Sequence, residues 1–94
     1  MDKTTAWRNE LEKVLCLAAK NSKILSSFLD DLLSPEELAV LPMRWQIIKR
    51  LNQGQPQHKI AKELGIGVAT VTRGSKMLQN KKGGFYQILK MIKK

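Results

Sequence analysis

Apolar residues recur three and four positions apart from Trp7 to Ile92, and nowhere in the 94 residues do they alternate as a half-buried strand requires. That periodicity confines the chain to helices. Trp7, Leu11, Val14, Leu15 and Ala18 form one stripe and Ile24, Leu25, Phe28, Leu29 and Leu32 a second, with Asn21-Ser22 as the joint. Ser34-Pro35-Glu36-Glu37 opens a third helix: Ser34 is placed as N-cap, Pro35 suits the first helical position, and Glu37 can complete a capping box. This helix continues through Leu38, Leu41, Trp45, Ile48 and Leu51 and ends near Gly54. Pro42 inside it removes a backbone donor and predicts a kink or break after the second turn. The stripes before residue 53 exceed what one small three-helix hairpin needs, so residues 5–52 read as a dimerisation region, with a monomeric helical support as the alternative. Trp7 and Trp45, each on a stripe, are expected in the core.

Charge divides the chain. Residues 1–47 carry six Lys or Arg against seven acids, whereas residues 48–94 carry eleven against one, Glu63. A half so basic suits a polyanion, because each Lys or Arg near a phosphate releases counterions; a basic membrane-surface helix would give similar arithmetic. No stretch approaches the roughly 18 apolar residues of a membrane span, and Met1-Asp2-Lys3-Thr4 leads into no apolar leader core. The single cysteine, Cys16, cannot close an intramolecular disulfide. A buried, reduced thiol and a cytoplasmic location are expected.

The segment from Gln57 to Lys76 carries the function. A short helix from Gln57 to Leu64 stops at Gly65, and a second starts near Gly67 with Val68-Ala69-Thr70-Val71-Thr72-Arg73. Two helices joined by about three residues containing glycine are a helix-turn-helix. Ile60, Leu64, Ile66 and Val71 are spaced to face inward, Ala61 is small where the helices cross, and Gly65 can take the positive φ of the turn. With Val71 inward, Gly67, Val68, Ala69, Thr72 and Arg73 turn outward at the end of the second helix that enters a major groove. Small side chains there admit the backbone to base edges, the methyls of Val68 and Ala69 suit thymine, and Thr72 supplies a hydroxyl. Arg73 and Lys76 can reach phosphate or guanine. His58, Ala61 and Lys62 of the preceding helix complete the candidate DNA-contacting set, and residues 57–80 form the reading head.

Gly74 breaks the pattern. An apolar side chain is expected three residues after Val71, and glycine in a helix costs about 1 kcal/mol relative to alanine, so something else is expected to occupy its space. Gly65-Ile66-Gly67-Val68-Ala69-Thr70-Val71-Thr72-Arg73-Gly74-Ser75, with Leu33-Ser34-Pro35-Glu36-Glu37 and Arg44 upstream, resembles the tryptophan operon repressor family over roughly residues 7–92. The resemblance implies one all-α domain of about six short helices over residues 1–94. It also implies N-terminal helices intertwined in a homodimer and a C-terminal helix at 84–92. It further implies a repressor that binds double-stranded operator DNA with L-tryptophan as corepressor, no other cofactor, and genes of tryptophan biosynthesis or salvage as targets.

By the same resemblance, Arg44 and Arg73 would stack on the indole ring, Arg73 also pairing with the ligand carboxylate. Both roles suit a guanidinium better than an ammonium. Thr70 and Gly74 would line the slot, Ile48 would supply an apolar wall, and carbonyls near Leu33 and Ser34 of the partner chain would meet the ligand ammonium. Met77 stands where the family tends to place a small hydroxyl near the ligand, and His58 where it tends to place a basic residue.

An enzyme is not expected. One histidine and one cysteine make neither a metal set nor a nucleophile with its base, and no glycine-rich loop follows a strand. Gly83-Gly84 reads as the turn before the last helix. Two rivals remain: a ligand-independent helix-turn-helix regulator, and a protein- or membrane-binding helical module suggested by Phe85, Ile88, Leu89 and Ile92.

Overall fold

A computed structural model describes residues 2–92. They form six helices: α1 (Lys3–Ala18), α2 (Ser22–Leu32), α3 (Pro35–Asn52), α4 (Gln57–Leu64), α5 (Val68–Gln79) and α6 (Gly84–Ile92), with no strand among the described residues. The chain divides into two compact units, residues 1–38 and 39–94.

Local capping fixes the elements of the first unit. Asp2 opens α1 by accepting the Thr5 N–H at 2.8 Å, and Asn21 opens α2 by accepting from Lys23 and Ile24 at 2.9 and 3.1 Å. At α3 the expected capping box is formed reciprocally: the Ser34 N–H donates to Glu37 Oε1 at 2.8 Å and the Glu37 N–H to Ser34 Oγ at 3.2 Å. These bonds hold the Asp2 and Glu37 carboxyls below their ordinary values, because each stabilises the ionised form. Both groups lie in solvent.

What the first unit lacks is a core. α1 packs on α2, yet Ala18 alone among its described residues is buried, and Trp7 (64%), Leu17 (66%) and Ile24 (58%) stand exposed. Trp7, expected in the core, belongs to no core of this unit. Cys16 is also exposed, against expectation. At 3.6 residues per turn it sits about 160° around α1 from Ala18, on the face opposite the stripe.

The second unit has a core, built where α3, α4 and α5 meet. Ile47, Ile60, Ala61 and Val71 form it, with Leu51, Leu64 and Ile66 packed against them. Ile48, Ile60 and Val71 are each no more than 1% exposed, and burying such side chains stabilises by roughly 1.5–3 kcal/mol apiece. Gly65 takes φ +68°, its N–H reaching the carbonyls of Ala61 and Lys62, and the Ile66 N–H returns to the Ala61 carbonyl at 3.0 Å. This αL cap stops α4 and aims the chain into α5. Arg50 Nη1 meets Glu63 Oε1 at 2.7 Å, tying the end of α3 to α4.

Of the kink or break expected at Pro42, the break does not occur: α3 runs through it as one helix. The missing N–H removes one bond of the ladder, and the bonds on either side hold the helix together as one element. Trp45 is half-buried rather than fully enclosed.

Candidate ligand slot and nucleic-acid interface

α5 bears both candidate surfaces, because its inward residues anchor it and the remaining faces are left for other uses. Val71 is fully buried, which turns Ala69 and Arg73 outward; Gly67 and Val68, on the same side as Val71 by spacing, are exposed as well because they stand at the very start of the helix. Val68 is 51% exposed, an apolar side chain offered to solvent at the first position of the helix. Nothing lies within 4 Å of where a Cβ on Gly67 would stand, so that end of α5 is open to an approaching surface. His58 and Lys62 on α4 and Lys76 on α5 are exposed as well.

Two of the expected DNA-contacting residues are placed otherwise. Ala61 belongs to the core at 8% exposure, so its methyl packs against α5 and is not presented to a groove. Thr72 is half-buried, and its hydroxyl donates to Gln57 Oε1 at 2.6 Å, with the Val68 carbonyl at 3.0 Å as the competing acceptor. The Thr72 hydroxyl thus links the two helices of the head.

Behind the outward face lies a small slot of about 60 Å³, open to solvent and well below the volume of most small-molecule sites. Arg44, Ile48, Thr70, Arg73, Gly74 and Met77 all line it, which unites every expected ligand residue of the second unit. Ile47 and Phe85 line it too. Ile47, three residues after Arg44 and beside Ile48, shares their face of α3 by helical spacing, although the expected stripe did not include it. Phe85 belongs to a helix whose placement depends on the turn before it. Leu33 and Ser34 lie in the first unit, where the Ser34 carbonyl accepts the Leu38 N–H at 2.9 Å.

The guanidinium groups of Arg44 and Arg73 make neither a hydrogen bond nor an ion pair among the described residues, and both side chains are exposed. Glu63, the one acid of the basic half, is already taken by Arg50. Two unpaired arginines at the mouth of an apolar slot suit a flat ring carrying a carboxylate, since the guanidinium both stacks and chelates.

Gly74 corrects the expectation of a vacancy. A Cβ there would stand 3.0 Å from Ile47 Cγ2 and 3.5 Å from Ile48 Cδ1, so the glycine admits α3 against α5 rather than leaving room for a ring. No group of three or more His, Cys, Asp or Glu gathers among the described residues, and no helix among them is long and apolar enough to cross a membrane.

The family described as Trp repressor protein matches residues 6–93. A Trp operon repressor homolog of Vibrio parahaemolyticus (serotype O3:K6) is 32% identical over 87 residues, covering 92% of this chain and 82% of the relative. Homologs of Photobacterium profundum and Vibrio cholerae are 48% and 41% identical over 50 and 51 residues. Those stretches cover 52% and 53% of this chain and about half, 48% and 50%, of the relatives. No solved structure matches. With six helices, a helix-turn-helix head, and a match from residue 6 to residue 93, the chain belongs to the Trp repressor protein family, regulatory DNA-binding proteins and not enzymes.

Proposed function

We propose that the protein is a sequence-specific, DNA-binding transcriptional repressor that acts as a homodimer in the cytoplasm and is activated by L-tryptophan. The observation that carries the reading is the double use of α5. Arg73 lines the slot and lies one helical turn from Ala69 on the outward face, so a ligand gripped by Arg73 bears on the same helix that meets DNA. Ligand shifts the head toward its DNA-ready arrangement only by binding that arrangement better, and a ring wedged between α3 and α5 supplies such a difference. The basic second half supplies phosphate contacts, with His58, Lys62, Arg73 and Lys76 exposed for them. The bare apolar faces of α1 and α2 support a dimer in which a second copy covers them and its Leu33 and Ser34 carbonyls reach the ligand ammonium.

A twofold dimer reads a pseudo-palindrome, its recognition helices about one DNA turn apart, as known for dimeric helix-turn-helix proteins including the tryptophan operon repressor. Base contacts of that repressor's operator complex are largely water-mediated, so few direct bidentate pairs are expected. A second reading, a helix-turn-helix regulator indifferent to ligand, draws on Gly74, whose missing side chain is accounted for by the approach of Ile47. Binding of the full chain to the DNA upstream of its own gene, at one fixed salt concentration with and without L-tryptophan, separates the two. Specific binding strengthened by tryptophan and not by tyrosine supports the corepressor; binding indifferent to both supports the second reading.

A further inference from the structure

The residues that line the slot divide by chemistry. Arg44, Arg73 and Thr70 bring the polar side chains; Met77 of α5 and Phe85 of α6 bring a thioether and a ring, with no acid, amide or imidazole among the lining residues. An aromatic ligand oriented by the two guanidinium groups leaves its ring to be read by shape and by contact with sulfur and π surface.

Phe85 is held where it is by the turn from α5 to α6. Asn80 organises that turn: its Oδ1 accepts the Lys82 N–H at 3.1 Å and its carbonyl accepts the Gly83 N–H at 2.9 Å. Gln87 Nε2 reaches back from α6 to the Lys81 carbonyl at 3.2 Å. A Cβ on Gly83 would stand 3.1 Å from the Asn80 carbonyl oxygen, a backbone atom, so this close turn favours glycine. α6 is thereby fixed at its first turn, and Phe85, its second residue, is half-buried against the slot.

We infer that Phe85, which lines the slot with Met77 and is positioned by the Asn80–Gly83 turn, is a specificity-determining wall of the slot, setting the largest aromatic ring the protein accepts. The inference rests on the proposed ligand slot and adds α6 to it. The wall has no polar side chain, so the ligand class is a flat aromatic amino acid selected by ring length.

Calorimetric titration of the full chain and of Phe85→Ala and Phe85→Leu with L-tryptophan, 5-bromo-L-tryptophan and 3-(2-naphthyl)-L-alanine tests this. For the parent chain, tryptophan should bind best. In Phe85→Ala, tryptophan affinity should fall about tenfold while the larger rings gain, inverting the order; about 1.4 kcal/mol corresponds to that factor. Phe85→Leu should fall between, with helix content by circular dichroism confirming that both variants fold. A loss in equal proportion for all three ligands is the mark of a merely structural Phe85 and overturns the inference. So does an unchanged order with unchanged affinity. Failure of the parent chain to bind any of the three overturns the ligand reading itself and the wall with it.

Discussion

Gly74 shows how one missing side chain is read by its neighbour. Alanine there would gain about 1 kcal/mol of helix propensity but drive a methyl to 3.0 Å from Ile47 Cγ2, in a side chain only 2% exposed. Overpacking of that kind typically costs about 1–3 kcal/mol, so Gly74→Ala should lower stability by about 1 kcal/mol net in a denaturant melt, and Ile47→Leu, which removes the branch, should recover part of it. A stabilised Gly74→Ala would show that α3 yields. Thr72 and Gln57 form another pair whose worth can be read: Thr72→Val should cost about 1 kcal/mol, and adding Gln57→Ala should cost much less than the two singly. Additive effects would mean that the 2.6 Å bond contributes nothing. Glu37 offers a test by pH. Its carboxyl is held low by the Ser34 N–H, so its contribution is present above the unfolded value and is lost as pH falls through the lower, folded one. Glu37→Gln keeps the capping geometry without the charge, so Ser34 amide protection should fall with acid in the parent chain and stay flat in the variant.

Elements are legible in the sequence where their signals are local. The Ser34 box and the Gly65 stop each depend on residues within four positions, and each forms as the spacing implies; Asn21, read only as part of a joint, caps α2. What depends on approach between elements is not legible. Gly74 looks like room for a ligand because nothing near it in sequence shows that Ile47 of α3 fills the position. Phe85 joins the slot through a turn whose geometry rests on Asn80 and Gly83. The exposure of Cys16, by contrast, is legible from spacing, two residues before Ala18 being the far face of α1. Pro42 reads as a kink or break by its own chemistry, but the rest of α3 carries the helix past it. The head allows a test at this scale. Lys62 and Lys76 are exposed on α4 and α5, and replacing either by Gln should weaken specific and nonspecific DNA binding alike and reduce the salt slope by about 1 for each phosphate left without its lysine. A slope unchanged by both substitutions would remove these lysines from the DNA surface. Arg44→Lys and Arg73→Lys should abolish most ligand binding without unfolding the head, because the slot uses the planar guanidinium and not the charge alone.

Across the whole molecule, the two units differ in what they can do alone. Residues 39–94 own a core of Ile47, Ile60, Ala61 and Val71, while residues 1–38 bury Ala18 among the described residues and leave Trp7, Leu11, Val14, Leu17, Ile24 and Leu32 bare. If a second copy covers those faces, the melting temperature should rise with protein concentration, whereas a monomer's would be constant. The bare stripe of α1 and α2 also bears on how the protein comes into being. If a second copy supplies the core of residues 1–38, the chain does not complete folding by itself, and the slow step of refolding should be a collision, with a rate that grows with the square of chain concentration. At low expression, newly made chains would then spend their waiting time with tryptophan, leucines and isoleucine exposed to proteases, and the abundance of repressor would fall more steeply than its synthesis.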